Sequence, residues 1–227
     1  MSTIVTYNRG AQGPPTLADT NKVVIFEDFN GVAQSTFTAA GFIVAGGVAA
    51  NSDGSTASTL IGSMVTPEFA DNEEISFLFR TKFTAHASDS EFDCGYADEA
   101  VTAQAASHSF AMALACGTNP EDDVVTCHLD DANGDPSKKA VTLSAVAGLE
   151  NWDPTVFFMF GGTLKRDGDK YVAKYYVDGI LIAKIIDDVP DPTAGHFTTQ
   201  RMGLFATQAA GTALASIDYA YGELPRS

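Results

Sequence analysis

The sequence is poor in residues that several classes of protein depend on. Its 227 residues include three cysteines, one tryptophan and 13 basic residues against 29 acidic ones, for a net charge of −16. The few lysines and arginines are scattered, so nothing is present to neutralise a phosphate backbone, and we predict no nucleic-acid binding. An odd number of cysteines without C-x-x-C spacing argues against a disulfide framework or a zinc site. Although Cys116 and Cys127 bracket a predicted hairpin, we expect Cys94, Cys116 and Cys127 to be small buried thiols.

Long apolar runs and catalytic patterns are also missing. The first 15 residues contain no apolar segment typical of a signal peptide, and no run of 18 apolar residues follows. We therefore expect neither secretion nor a membrane span, and synthesis in a cytoplasm. No H-x-x-x-H spacing, Ser-His-Asp order or phosphate-binding loop with its lysine occurs. We predict no cofactor, and the four histidines read as ordinary surface or core residues: His86, His108, His128 and His196.

The strongest positive signal is a β-hairpin. Asp178-Gly179 separates two runs rich in β-branched and aromatic residues, Tyr171–Val177 and Ile180–Asp187. Both turn residues tolerate a positive φ, which predicts a type I′ turn. A second turn at Asp167-Gly168 joins this hairpin to an apolar run at Thr155–Leu164, so we predict a three-stranded meander.

Both faces of this meander are apolar. A two-residue turn pairs Val177 with Ile180, Tyr175 with Ile182 and Tyr171 with Ile186, and Phe158 and Phe160 join that core face. The opposite face then carries a second apolar set: Phe157, Met159, Val172, Tyr176, Leu181 and Ile185. A sheet exposed to solvent alternates apolar and polar residues more cleanly. We therefore expect the second apolar face to be covered by another layer, a loop, an arm, a ligand or a partner subunit.

The spacing of strands and turns predicts the fold class. About a dozen short strands separated by Gly, Asn, Asp and Pro indicate an all-β protein, a two-sheet antiparallel β-sandwich or jelly roll. Residues 30–58 read as a long loop with a short strand at Phe42–Val44. We predict a single sandwich domain at residues 23–227 after an extended N-terminal arm at residues 1–22. Candidate partner-binding residues lie in this arm: Ile4, Val5, Tyr7, Arg9, Pro14 and Pro15.

The order of segments resembles a known family. FEDFNG at residues 26–31 is followed by TLIGSMV, by EISFLFRTKF at residues 74–83, by FDCGYADEA and by the KYYVDGILIAKI hairpin. This order resembles the concanavalin-like and laminin-G-like jelly roll, in the form found in tailed-phage virion proteins. The resemblance implies a fold that lectins, polysaccharide-cleaving enzymes and adhesive modules share, so it does not choose among them.

A carboxylate motif tests the enzymatic alternative. Jelly-roll glycosidases of the laminarinase type carry E-x-D-x-x-E or E-x-D-x-E on one strand, which places their carboxylates on one face around the scissile bond. Glu91 and Asp93 match the first two positions, but Gly95 or Tyr96 stands where the general acid is needed. We therefore predict that the chain is not an enzyme.

Two binding patterns are weaker. An aromatic side chain is needed to stack on a sugar, and the candidates are Tyr96, Trp152 and Tyr221. Residues 130–135, DDANGD, contain oxygen ligands, but the glycine and glutamate of a calcium loop are not at their positions. An Asn-Gly turn is the favoured interpretation, and calcium stays the alternative.

These observations lead to ranked expectations. The first is a non-enzymatic virion structural protein, a capsid decoration (cement) protein of a tailed phage, anchored through its arm and sheet surfaces. Its partners would be a capsid shell protein or copies of itself. The second is a carbohydrate-binding lectin-like module of a tail or head fibre, whose partner is a cell-surface glycan. The third is a polysaccharide depolymerase.

Overall fold

A computed structural model describes residues 22–27, 29, 37–40, 42–45, 47–51, 58–62, 71–83, 90–97, 110–116, 123–129, 137–188, 203–208 and 215–225. The predicted arm residues Ile4, Val5, Tyr7, Arg9, Pro14 and Pro15 lie outside these ranges, so the arm and the division into an arm and one domain stay predictions. The described part contains fifteen strands: β1 Lys22–Glu27, β2 Phe37–Ala40, β3 Phe42–Ala45, β4 Val48–Asn51, β5 Ser58–Gly62, β6 Glu74–Phe83, β7 Ser90–Ala97, β8 Phe110–Cys116, β9 Val124–Leu129, β10 Ser137–Thr142, β11 Phe158–Asp167, β12 Lys170–Val177, β13 Ile180–Asp188, β14 Gly203–Gln208 and β15 Ala215–Pro225.

The strands form two antiparallel sheets. The eight-stranded sheet has the order β13-β12-β11-β6-β15-β4-β3, and β1 pairs with the C-terminal half of β15. The seven-stranded sheet has the order β10-β9-β8-β7-β14-β5-β2. This architecture confirms the predicted all-β, two-sheet sandwich. No helix within the described ranges is long and apolar enough to cross a bilayer.

The core lies between the sheets and follows from the period of two along each strand. In β6, every second residue from Ile75 to Phe83 is buried, and β9 and β12 alternate in the same way. Aromatic rings join the two layers: the ring centroids of Phe77 and Phe110 are 5.0 Å apart, and those of Phe92 and Phe160 are 6.5 Å apart. Each such buried ring contributes about 2–3 kcal/mol through the apolar area it removes from water.

The hairpin turn forms as predicted. Asp178 and Gly179 have φ values of 49° and 80°, which are the positive values that a type I′ turn needs. The turn is also tied to β11, because Asp178 Oδ1 accepts a hydrogen bond from the Met159 N–H at 2.8 Å and the Asp178 N–H donates to the Met159 carbonyl at 2.9 Å.

The predicted register of this hairpin is wrong beyond its first pairs. Val177 pairs with Ile180 as expected, but Tyr175 lies opposite Ala183, because the register shifts between Tyr175 and Tyr176. Ile182 is therefore the extra residue of a β-bulge, and a bulge moves every later side chain to the other face. As a result Ile185 is buried, with 8 % of its surface exposed, whereas Ile186 is 55 % exposed, the reverse of the prediction.

The outer face of the eight-stranded sheet is covered in part by its own long side chains. The Arg80 guanidinium lies 4.6 Å and the Lys82 ammonium 4.7 Å from the ring centroid of Phe157. The Tyr219 hydroxyl lies 3.5 Å from the Met159 sulfur. Cations over an aromatic ring shield its apolar face with their alkyl stems. The predicted need for a separate cover is therefore reduced around Phe157 and Met159.

Two predicted segments differ from the structure. Strands β2, β3 and β4 lie at Phe37–Ala40, Phe42–Ala45 and Val48–Asn51, where a loop with one short strand was expected. Their short runs of alanine, threonine and valine alternate too weakly in hydropathy to predict strands. The strand expected at Thr155–Leu164 begins at Phe158, because the residues before it belong to a connection between the sheets.

Candidate functional site

A crossover segment, residues 143–157, carries the chain from β10 in one sheet to β11 in the other. It consists of tight turns in which the N–H of Val146 donates to the carbonyl of Leu143, that of Leu149 to Val146 and that of Trp152 to Leu149, each at 2.9 Å. Bonds between residues three apart bring every third side chain to the same side. Leu143 and Leu149 are buried in the core, and Val146 and Trp152 pack against it. This spacing fixes the single tryptophan of the chain at one end of the sandwich.

A pocket of about 440 Å³ lies beside this tryptophan. The Trp152 ring meets the Phe158 ring edge to face, with centroids 4.9 Å apart. Trp152 Nε1 is buried, and no described residue accepts its hydrogen. The crossover segment and the β12–β13 turn both contribute to the lining: Gly148, Leu149, Glu150, Asn151, Trp152, Asp153, Val156, Phe158, Asp178 and Ile180.

Three exposed carboxylates in the lining are held by hydrogen bonds to nearby main chain. Glu150 Oε2 accepts from the Gly148 N–H at 2.9 Å, and Asp178 Oδ1 accepts from the Met159 N–H. Asp153 Oδ1 accepts from the Thr155 N–H at 2.8 Å and from its hydroxyl at 2.7 Å. The pocket therefore combines an aromatic wall with oxygen acceptors in fixed places.

The described lining of the pocket contains acidic side chains and no basic ones. Hydrogen bonds from the backbone N–H groups of Glu150 and Gly148 lower the pKa of the Glu150 carboxyl, because they stabilise its charged form. The lining residues that the structure describes include the carboxylates of Glu150, Asp153 and Asp178 and no lysine, arginine or histidine.

The β7 carboxylate motif lies elsewhere, in the seven-stranded sheet. Asp93 is 2 % exposed and pairs with Thr207 of β14 in the strand register. Tyr96 is fully buried against Phe77 in the core, and Gly95 adopts a φ of 145°. Neither third position of the glycosidase motif therefore supplies an acid. Glu91 lies in β7, but its side chain is outside the described part.

The three aromatics proposed from the sequence do not come together. The Tyr96 hydroxyl donates to the Ser76 carbonyl at 3.1 Å inside the core, where burial raises its pKa. Tyr221 is half-buried in β15, and its hydroxyl donates to Glu223 Oε2 at 2.7 Å. Only Trp152 lines the pocket. Glu150, Asn151, Asp153 and Asp178 were missed, although the run Glu150-Asn151-Trp152-Asp153 was the available signal.

Other sequence candidates give partial outcomes. Cys94 and Cys127 are buried free thiols, as predicted, and burial raises the pKa of Cys127 to about 12. In the described part of the chain, no three His, Cys, Asp or Glu side chains are placed to hold a metal ion. The calcium alternative at residues 130–135 lies outside the described residues, as do His86, His108 and His196.

Comparisons with known proteins identify the fold. No protein-family model and no curated protein matches the sequence. Among solved structures, an endo-1,3-β-glucanase from Streptomyces sioyaensis aligns with a TM-score of 0.62 and 11 % identity over 95 % of this chain and all of that one. The carbohydrate recognition domain of Emp47p aligns with a TM-score of 0.61 and 10 % identity over 90 % of this chain and 95 % of that one. The CBM2 module of an evolved Dit protein of Lactobacillus casei BL23 phage J-1 aligns with a TM-score of 0.55 and 13 % identity over 89 % of this chain and 95 % of that one. The protein thus has the concanavalin-like jelly roll.

One prediction is overturned by these neighbours. The missing acid after Asp93 led to the conclusion that the chain is not an enzyme, but laminarinase and glucanase catalytic domains share its whole fold. Lectin-like domains share it too. A single strand motif does not represent every acid that this fold can place. The fold therefore leaves both an enzyme and a lectin-like domain open.

Proposed function

We propose that this protein binds carbohydrate and that the Trp152 pocket is its sugar site. The observation that carries the proposal is the placement of the only tryptophan in the wall of a pocket whose oxygen acceptors are fixed by main-chain hydrogen bonds. A sugar ring has an apolar C–H face and a rim of hydroxyl donors. An aromatic wall and a few fixed polar groups match both features.

The neighbours support this class above a cement protein. Emp47p contributes a carbohydrate recognition domain and the phage Dit protein a CBM2 module. For this chain, we extend the proposal to a receptor-binding part of a phage particle that meets a cell-surface glycan. Detection of the chain by mass spectrometry in purified particles, together with loss of cell adsorption on adding excess free protein, would support that setting. Absence of the chain from purified particles would refute this setting.

The direct experiment is a glycan array with and without calcium, followed by calorimetric titration of the hits. We expect Trp152→Ala to weaken binding at least tenfold, because it removes the flat aromatic ring on which the C–H face of a sugar would stack. Tyr221→Phe is the matched control, since it alters an aromatic side chain outside the pocket and should leave affinity unchanged. Cooperative unfolding followed by circular dichroism would show that both variants fold, and we expect a lower midpoint for Trp152→Ala because its ring packs against Phe158. An array without hits, or full affinity in Trp152→Ala, would contradict the proposal.

Hydrolysis of a glucan is the second candidate, and a specific observation favours it. Glu91 and Asp93 are two residues apart on β7, and that strand lies inside the seven-stranded sheet beside β14 and β8. The acid would have to come from a residue outside positions 95 and 96. Release of reducing ends from laminarin, lost in Asp93→Asn, would support this activity. The absence of any release at enzyme concentrations comparable to the substrate would refute it.

A further inference from the structure

We infer that the contact between Gly148 and Ile180 sets the width of the Trp152 pocket and makes Ile180 a specificity-determining residue of the sugar site. Where it concerns sugars, this inference rests on the proposed function. Both residues line the pocket but belong to different walls, Gly148 to the crossover segment and Ile180 to the first position of β13. A Cβ placed on Gly148 would lie 2.8 Å from Ile180 Cδ1, so the two walls meet at this point.

The crossover wall depends on the backbone of Gly148. Its φ is 90°, and the Leu149 N–H donates to the Val146 carbonyl, so Gly148 occupies the third position of a turn. A type II turn requires a positive φ at that position, which glycine adopts without strain. The next turn shares Leu149, whose carbonyl accepts from the Trp152 N–H. A displacement of Gly148 is therefore passed through Leu149 to Trp152.

The hairpin wall gives Ile180 a fixed place. Ile180 pairs with Val177, and the turn between them is tied to β11 by two hydrogen bonds between Asp178 and Met159. The Ile180 side chain packs against the core, and its branched Cβ leaves it few rotamers. Its terminal methyl group therefore occupies the space that a side chain at position 148 would take.

The pair controls the pocket through volume. A methyl group at position 148 forces Ile180 to turn or the crossover segment to move, and the shape of the lining changes in either case. Ile180→Val deletes the Cδ1 atom itself, so it makes room for that methyl group, and it widens the pocket when Gly148 is kept. A swap that conserves volume is the best tolerated change in a packed site. We therefore expect the two substitutions to compensate each other.

A double-mutant cycle tests this coupling with wild-type protein, Gly148→Ala, Ile180→Val and the double variant. Alanine is strained at a φ of 90°, but this strain is present in both proteins that carry Gly148→Ala. The difference between the two backgrounds therefore isolates the contact. The first readout is the indole ¹⁵N–¹H signal of Trp152 in the free protein, which needs no sugar. The second is the glycan array, with affinities of the hits measured by calorimetry.

We expect Gly148→Ala to shift the indole signal, and to shift it less than half as far in the Ile180→Val background. Gly148→Ala should weaken binding of the wild-type array hits about fivefold, and the double variant should return to within about twofold of wild type. Ile180→Val alone should move the indole signal and add bulkier sugars to the array profile, because its pocket is wider.

Gly168→Ala is the matched control. Gly168 also has a positive φ, of 62°, but no atom of the described residues lies within 4 Å of a Cβ placed there. It belongs to the β11–β12 turn and does not line the pocket. We expect it to leave the indole signal and the array profile unchanged.

An equal indole shift by Gly148→Ala in both backgrounds would overturn the inference, because backbone strain alone would then explain it. An Ile180→Val protein with the indole signal and array profile of wild type would also overturn it, and this variant keeps the test valid if Gly148→Ala does not fold. Array hits without coupling would refute the inference and leave carbohydrate binding standing. A blank array would refute the proposed function and the role in specificity, whereas the indole shifts would still decide whether the contact sets the pocket.

Discussion

Glycine at position 162 allows the aromatic core to close. A Cβ at this residue would lie 2.5 Å from Phe77 Cε1 and 2.8 Å from Phe110 Cζ. These rings belong to opposite sheets and touch each other, so neither can move away without breaking the contact between the layers. The absence of a side chain at Gly162 is therefore part of the packing of the sandwich.

We expect Gly162→Ala to lower the free energy of unfolding by about 1–3 kcal/mol, the usual cost of overpacking a filled core. Urea unfolding followed by Trp152 fluorescence measures it, because the chain has no other tryptophan. Gly161→Ala is the matched control. Its Cβ would lie 3.1 Å from Leu78 Cδ1, at the end of a side chain that can turn aside, and 3.3 Å from the Phe77 carbonyl oxygen. Both distances are longer than those at Gly162, so we expect a smaller loss. A larger loss at Gly161 would contradict this account.

Single residues also show what the sequence could reveal. Asp178-Gly179 predicted its turn because the two residue types carry the required φ preference themselves. The role of Gly162 could not be predicted, since it depends on Phe77 and Phe110, which lie 85 and 52 positions away in the chain. A turn preference depends on neighbouring residues and can be predicted from the sequence. A packing contact depends on residues that meet only after folding.

Among the elements, strand β13 is the one whose faces were misassigned. The bulge at Ile182 inserts one residue, so Ile185 turns inward and Ile186 outward. Nothing in the run Ile180–Asp188 marks the bulge, because isoleucine, leucine and alanine fit either face. Alternation alone therefore could not fix the register of an edge strand whose two faces are both apolar.

A matched pair of substitutions tests the bulge. Ile185→Ala should destabilise the protein by about 2–4 kcal/mol through a cavity in the core, and Ile186→Ala by less than about 0.5 kcal/mol. Chemical denaturation of the two variants under one set of conditions gives both values. A regular two-residue hairpin predicts the reverse order, so a larger loss in Ile186→Ala would rule out the bulge.

Strands with a clear period of two were the most predictable elements. The alternation of apolar with polar or small residues predicts strands at Ser90–Ala97 and Val124–Leu129, which are the observed limits of β7 and β9. The crossover segment was not predicted, since its apolar residues recur every third position, which fits neither a strand nor an α-helix. That segment positions Trp152, so the element that sequence reasoning missed is the one that builds the pocket.

For the whole molecule, the pocket is a product of the assembled sandwich. Its residues come from the crossover that leaves the seven-stranded sheet and from the turn of the eight-stranded sheet. Trp152 could be proposed from the sequence as the only tryptophan, but its meeting with Asp178 and Ile180 could not, because the hairpin and the crossover approach only in the folded state. The absence of the third acid from the β7 motif could also be predicted from the sequence. It did not decide between an enzyme and a carbohydrate recognition domain, because both occur on this fold.

The most direct test of the central claim uses the indole N–H of Trp152. A ¹⁵N-labelled sample has one indole signal, which needs no further assignment because the chain has one tryptophan. Trp152 lines the pocket, so we expect a sugar that stacks on its ring to change the magnetic shielding of the indole N–H. We predict a saturable shift of this signal when an oligosaccharide identified on the array is added, with the same dissociation constant as calorimetry gives. A sugar that binds by calorimetry but leaves the indole signal unmoved at saturation would place the site elsewhere and contradict the account.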